Sequence, residues 1–137
     1  MSAADSIRVT VYGRGGHGSM PQDTVDPVVL AAMITIRLQT IVSREVAPDD
    51  TAVVTVGSSR AGTRNNVIPD FAVLELNVRS YSAVTRQRML DAIKRIVRAE
   101  CQASDSPKMG ARGHPARFRD FRRDRRGEHV PPTGRHS

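Results

Sequence analysis

The chain has 137 residues, one cysteine, no tryptophan, 39% hydrophobic residues and a formal net charge of +7. That length fits one domain with a real core and is too short for two large ones, and the modest apolar content implies that part of the chain lies outside it. A lone cysteine excludes an internal disulfide and fits a reducing compartment. Residues 1–6 carry no basic, apolar leader, and no apolar run is read as approaching the ~20 residues of a membrane span, so the expectation is a cytoplasmic protein without membrane contact.

The charge is unevenly placed. Residues 1–106 hold 12 Lys+Arg against 11 Asp+Glu, and residues 107–137 hold 9 against 3, so the net charges are +1 and +6. Basic character across a whole domain would point to nucleic acid. Here it belongs to a tail, and no specific nucleic-acid partner is expected.

Residues 1–6 read as a flexible N-terminus. Residues 7–12 (Ile-Arg-Val-Thr-Val-Tyr) alternate apolar and polar side chains and read as a half-buried strand. The glycine-rich turn Gly13-Arg14-Gly15-Gly16-His17-Gly18-Ser19-Met20-Pro21 follows. Its glycines allow close approach of another backbone or a ligand, and it presents one histidine, which can donate or accept a hydrogen bond or bind a metal. Asp26 offers an N-cap and Pro27 a first helical position. From 28 to about 46, Val29, Leu30, Met33, Ile34, Ile36, Leu38, Ile41 and Val42 recur at helical spacing in a stripe wide enough to touch more than one surface.

A second strand is expected over 51–58, a polar loop over 61–70 and a third strand over 71–80. In that third strand Glu75, Asn77 and Arg79 alternate with Leu74, Leu76 and Val78, giving one wet and one buried face. Ser82 can cap a second helix running to about residue 103, with Leu90, Ile93, Ile96 and Val97 inward. Arg86, Arg88, Asp91, Lys94, Arg95 and Arg98 read as its solvated face. Cys101 reads as a small core filler. The glycine turn lacks the Lys-Ser/Thr of a phosphate-binding loop, so phosphate binding there is a weak reading. After residue 107 the chain shows no two-residue period and many arginines, so 107–137 is expected to be a disordered tail, and the change is abrupt enough to suggest an altered reading frame.

The order of Gly-Arg-Gly-Gly-His-Gly-Ser-Met-Pro, Val25-Asp26-Pro27, Ser43-Arg44-Glu45-Val46, Asn66-Val67-Ile68-Pro69 and Asn77-Val78-Arg79 resembles the lid, or dimerisation, domain of the aminoacylase and carboxypeptidase G-type metallopeptidases. Its flavour is that of the hippurate hydrolase-like amidohydrolases. The resemblance covers about residues 7–106. The predicted order of elements is β-α-β-β-α, an α+β two-layer sandwich that, with the resemblance, reads as a ferredoxin-like lid domain lacking its last strand and followed by a disordered basic tail.

The resemblance also implies roles. In the family the lid is inserted into a catalytic domain that holds zinc or similar divalent ions, and it forms a homodimer. The histidine matching His17 is lent across the dimer to the oxyanion, a placement typically worth about 3 kcal/mol in barrier height. Gly16 and Gly18 would allow the close approach. Asn66 would hold the substrate's amino-acid portion, against a competing reading as a turn cap beside Pro69. Arg79 could pair with a substrate carboxylate, or simply be a surface ion-pair residue.

The family's His-x-Asp motif, bridging carboxylate, Glu-Glu pair and late metal histidine do not occur here. No metal ligand is assigned: apart from His17 the histidines are His114, His129 and His136, all in the tail and without ligand spacing. Three functions are weighed. The first is a lid-domain fragment of an amidohydrolase acting on N-acyl amino acids or similar, inactive alone and working as a homodimer or beside a full-length subunit. The second is a stand-alone homodimerisation module. The third and least favoured is a nucleic-acid binder working through its basic tail, since Tyr12 and Phe71 read as isolated at strand ends.

Overall fold

The computed structural model describes residues 3–107 and 114–122. The expected strands and helices form with small boundary shifts. Strand β1 (Ala3–Tyr12) leads through the short β2 (Gly16–His17) to helix α1 (Pro27–Thr40). Asp26 caps α1, its carboxylate accepting from Val28 N–H at 2.9 Å, and Pro27 needs no partner at the first position. A wider π-helical turn (Ile41–Glu45) ends the segment before β3 (Ala52–Arg60). Then come β4 (Val67–Ile68), β5 (Phe71–Ser80) and helix α2 (Ala83–Ala103), which the Ser82 hydroxyl caps through Thr85 N–H.

One strand corrects the expectation of a missing final element. Ala116–Arg122 forms β6, and the main sheet has the order β3-β5-β1-β6 with every neighbouring pair antiparallel. The two-layer α+β sandwich is thus complete, with both helices on one sheet face and β3 and β6 at its edges. The alternation in β6 is present but sparse: Ala116 is buried opposite Val11 and Phe118 packs on the core opposite Val9, while Arg117 and Arg119 point to the other face. Helix α2 holds this strand by charge as well as by apolar contact. The Arg98 guanidinium lies 5.8 Å from the centre of the Phe118 ring, and Arg86 is attracted to Asp120. The rest of the expected disordered tail, residues 108–113 and 123–137, lies outside the described residues.

The core is a single cluster between sheet and helices, built on Val9 and Val11 of β1, Leu74, Leu76 and Val78 of β5, Leu30, Ile34 and Leu38 of α1, and Met89, Ile93 and Val97 of α2. Val29, Met33 and Ile36 form a second stripe on α1 that stays exposed, with Ile36 at 66%. Contrary to expectation, the stretch Pro27–Glu45 is, by length and composition alone, apolar enough to span a membrane. In the fold, Leu30, Ala31, Ile34, Leu38 and Ile41 from this stretch are core residues.

Two further expectations change. Arg86 is not simply solvated, because it reaches inward to the buried Asp5. Tyr12 and Phe71 are not isolated; they face each other across the central pair β1 and β5.

Candidate functional site

The loop between β1 and α1 is fastened along its length. Gly13 N–H donates to the Asp70 carbonyl at 2.7 Å, and Arg14 and Val25 exchange a reciprocal pair of backbone bonds at 2.9 and 3.0 Å. Gly15 N–H donates to the Asp70 carboxylate at 2.9 Å. The chain then pairs as β2 with β4, Gly16 opposite Ile68 and His17 opposite Val67. Gly18 N–H closes the ladder on the Asn66 carbonyl at 2.8 Å. Side chains would obstruct this contact: a Cβ on Gly15 would lie 2.5 Å from the Ile68 carbonyl oxygen, and one on Gly18 would lie 3.1 Å from that of Asn66.

This ladder brings His17, Gly16, Gly18 and Asn66 together at one end of the sheet. The His17 side chain is exposed while its backbone is held on both sides, with Met20 N–H donating to the His17 carbonyl at 3.0 Å. The loop thus presents an imidazole to whatever approaches from outside. Its Nδ1 is engaged by Ser19, whose amide lies 3.1 Å away and whose hydroxyl lies 2.6 Å away. Sequence reasoning passed over Ser19. The signal was a hydroxyl two residues after the histidine, a spacing that lets a side chain close on the local backbone.

Arg79 is not part of this group. It sits near the far end of β5, eight residues from Phe71, which at about 3.3 Å per residue is about 26 Å along the strand. It is exposed and donates to Asn77 Oδ1 at 3.1 Å. Between the two ends, Glu75 accepts from both Arg8 at 2.9 Å and Arg60 at 3.3 Å on the wet face. Asn66 occupies the turn before β4, and its side chain is exposed.

Among the described residues no group of three or more His, Cys, Asp or Glu could hold a metal ion. The side chains around His17 do not fit a divalent centre, since its near neighbours are a serine, glycines and an asparagine. Cys101 is buried, and desolvation pushes its thiol up to about 11, so it is a neutral core side chain.

The family described as "Peptidase dimerisation domain" matches residues 3–105. Hippurate hydrolase of Campylobacter jejuni is 41% identical over 105 residues, which are 77% of this chain and 27% of that protein. Thermostable carboxypeptidase 2 of Saccharolobus solfataricus is 33% identical over 101 residues, 74% of this chain and 26% of that protein. Among solved structures, an aminohydrolase of methicillin-resistant Staphylococcus aureus superposes with a TM-score of 0.77 at 29% identity, covering 87% of this chain and 28% of that one. The YXEP protein of Bacillus subtilis, described as a dinuclear metal-binding peptidase of the M20 family, superposes with a TM-score of 0.62 at 25% identity, covering 89% and 26%. The chain therefore spans about a quarter of the length of the relatives it matches. Carrying the fold, the glycine loop and the match over most of its length, this chain belongs to the M20 peptidase dimerisation-domain family.

Proposed function

We propose that the chain is the dimerisation, or lid, domain of a metal-dependent amidohydrolase that cleaves amide bonds of N-acyl amino acids or similar substrates. The observation that supports this reading is the separation of the residues to which it gives roles. His17 and Asn66 are fastened together at one end of the sheet, while Arg79 lies about 26 Å along β5. A site that uses both groups must draw them from different copies. Homodimerisation supplies that arrangement, with one copy lending His17 and Asn66 to a site where the other copy's Arg79 binds a substrate carboxylate.

The dimer surface in this reading is the exposed apolar stripe of α1 beside the open edge of β3. Val29, Met33 and Ile36 occupy positions i, i+4 and i+7 of one helical face, and β3 beside α1 is an edge strand of the sheet. At the lent site, His17 donates a hydrogen bond to the oxyanion that develops as the amide carbonyl is attacked. Divalent ions, zinc or similar, belong to the catalytic domain of a complete subunit. Among its described residues this chain gathers no three side chains that could hold such an ion, and in this reading it is inactive alone. A cytoplasmic setting agrees with its one unpaired cysteine.

The test is made in a complete subunit carrying this domain. His17→Ala is expected to lower kcat about 100-fold, as for loss of one oxyanion donor. Mixed dimers should recover activity at sites that receive an intact His17 from the other copy. Unchanged turnover in the His17→Ala enzyme would refute the role.

A further inference from the structure

We propose that Ser19 is a positioning residue that holds the neutral His17 ring as its Nε2–H tautomer, leaving that N–H as the outward donor. The inference rests on the reading of His17 as an oxyanion donor, but its geometry stands by itself. An amide N–H can only donate, and that of Ser19 lies 3.1 Å from Nδ1. That amide favours the tautomer in which Nδ1 offers its lone pair. A hydrogen on Nδ1 would point at the amide hydrogen.

The Ser19 hydroxyl, 2.6 Å from the same nitrogen, can rotate to donate as well, so two donors converge on one acceptor. A neutral imidazole has a single N–H, which is then on Nε2. Nε2 makes no hydrogen bond among the described residues and belongs to an exposed side chain.

The tautomer decides the chemistry. An Nε2–H ring offers a donor to developing negative charge; the other tautomer would offer a lone pair and repel it. The rigid backbone around the ring, with Gly18 bound to Asn66 and Met20 bound to the His17 carbonyl, fixes the position of the donors on Nδ1. The hydroxyl is the adjustable part, because the Ser19 amide stays in place whatever side chain is attached.

The experiment is a long-range proton–nitrogen correlation on the uniformly nitrogen-15-labelled full chain at alkaline pH, with His17→Ala used to assign the ring signals. The native chain is expected to show a pyridine-type Nδ1 and a pyrrole-type Nε2, widely separated. Ser19→Ala should draw the two shifts towards each other as the tautomers mix, and Ser19→Thr should restore the separation. In a complete subunit, Ser19→Ala should lower kcat several-fold without raising KM and have no further effect in a His17→Ala background. Ring shifts unmoved by Ser19→Ala overturn the inference and leave the oxyanion role standing, whereas a pyrrole-type Nδ1 in the native chain overturns the inference and removes the Nε2–H donor with it. Ring shifts that respond as expected, with turnover indifferent to His17→Ala, overturn the oxyanion role and leave the tautomer assignment standing.

Discussion

Asp5 lies on the core side of β1 at 4% exposure and accepts two hydrogen bonds from Arg86 of α2, at 2.6 and 2.8 Å. A buried carboxylate is tolerated only with such a partner, and here the planar guanidinium matches it in both bonds. The bond to Asp5 raises the Arg86 pKa further above its already high value, so the pair stays ionised on the arginine side at any ordinary pH. Arg86→Ala should therefore destabilise the domain by about 2–3 kcal/mol in urea unfolding, because it leaves Asp5 buried and unpaired. Arg88→Ala on the exposed face should cost less than about 0.5 kcal/mol in the same assay. Cys101 is the opposite case, buried and neutral with its thiol near 11. A folded sample at pH 8 should react with an aromatic disulfide reagent far more slowly than a urea-unfolded one. Of these residues, the sequence made His17 and Cys101 legible and Arg86 illegible. A glycine cluster around one histidine has few structural explanations, whereas helical periodicity places a charge on a face and cannot say that it reaches a strand 81 residues earlier.

The helices and the three central and early strands were legible because each has a strong local signal. Asp26-Pro27 and Ser82 mark helix starts, and 71–80 alternates without interruption. Strand β6 was not legible. Of its first five residues only Ala116 and Phe118 are apolar, and Arg117, Arg119 and Asp120 lower the apparent β signal. What seats it is tertiary: β1 offers an unpaired edge, and seven residues, 116 to 122, pair with 5 to 11 in antiparallel register. Arg98 and Arg86 of α2 then add contacts that no local pattern encodes. Phe118→Ala should lower stability by about 1–2 kcal/mol, less than for a fully buried ring because Phe118 is only half-buried. Hydrogen exchange should quicken first at the β1 amides that point to β6, while the β1–β5 amides keep their protection. Equal loss on both sides of β1 would mean that β6 is integral to the whole sheet and not an added edge.

At the scale of the molecule, the distribution of apolar surface is one-sided. The helix layer is well covered where α1 and α2 meet the sheet, yet α1 keeps Val28, Val29, Met33 and Ile36 between 46% and 66% exposed. Scattered exposed apolar residues carry no meaning, but a row at i, i+4 and i+7 on one helix is the face that a second copy covers in the proposed dimer. That row alone is too small, since a stable interface takes about 800 Å² from each partner. The edge strand β3 lies beside α1, and among the described residues its outer backbone groups pair with no other strand. Joining two such edges adds a ladder of hydrogen bonds to the apolar contact, and helix beside helix over strand beside strand makes one continuous surface. The chain should therefore sediment at twice its monomer mass at micromolar concentration. The double change Met33→Glu and Ile36→Asp should yield a folded monomer, because neither side chain contributes to the core and an isologous interface places each new charge in the apolar contact twice. A dimer that survives both substitutions would move the interface away from α1 and leave the β3 edge, or the β6 edge at the other side of the sheet, as the surface that joins the copies.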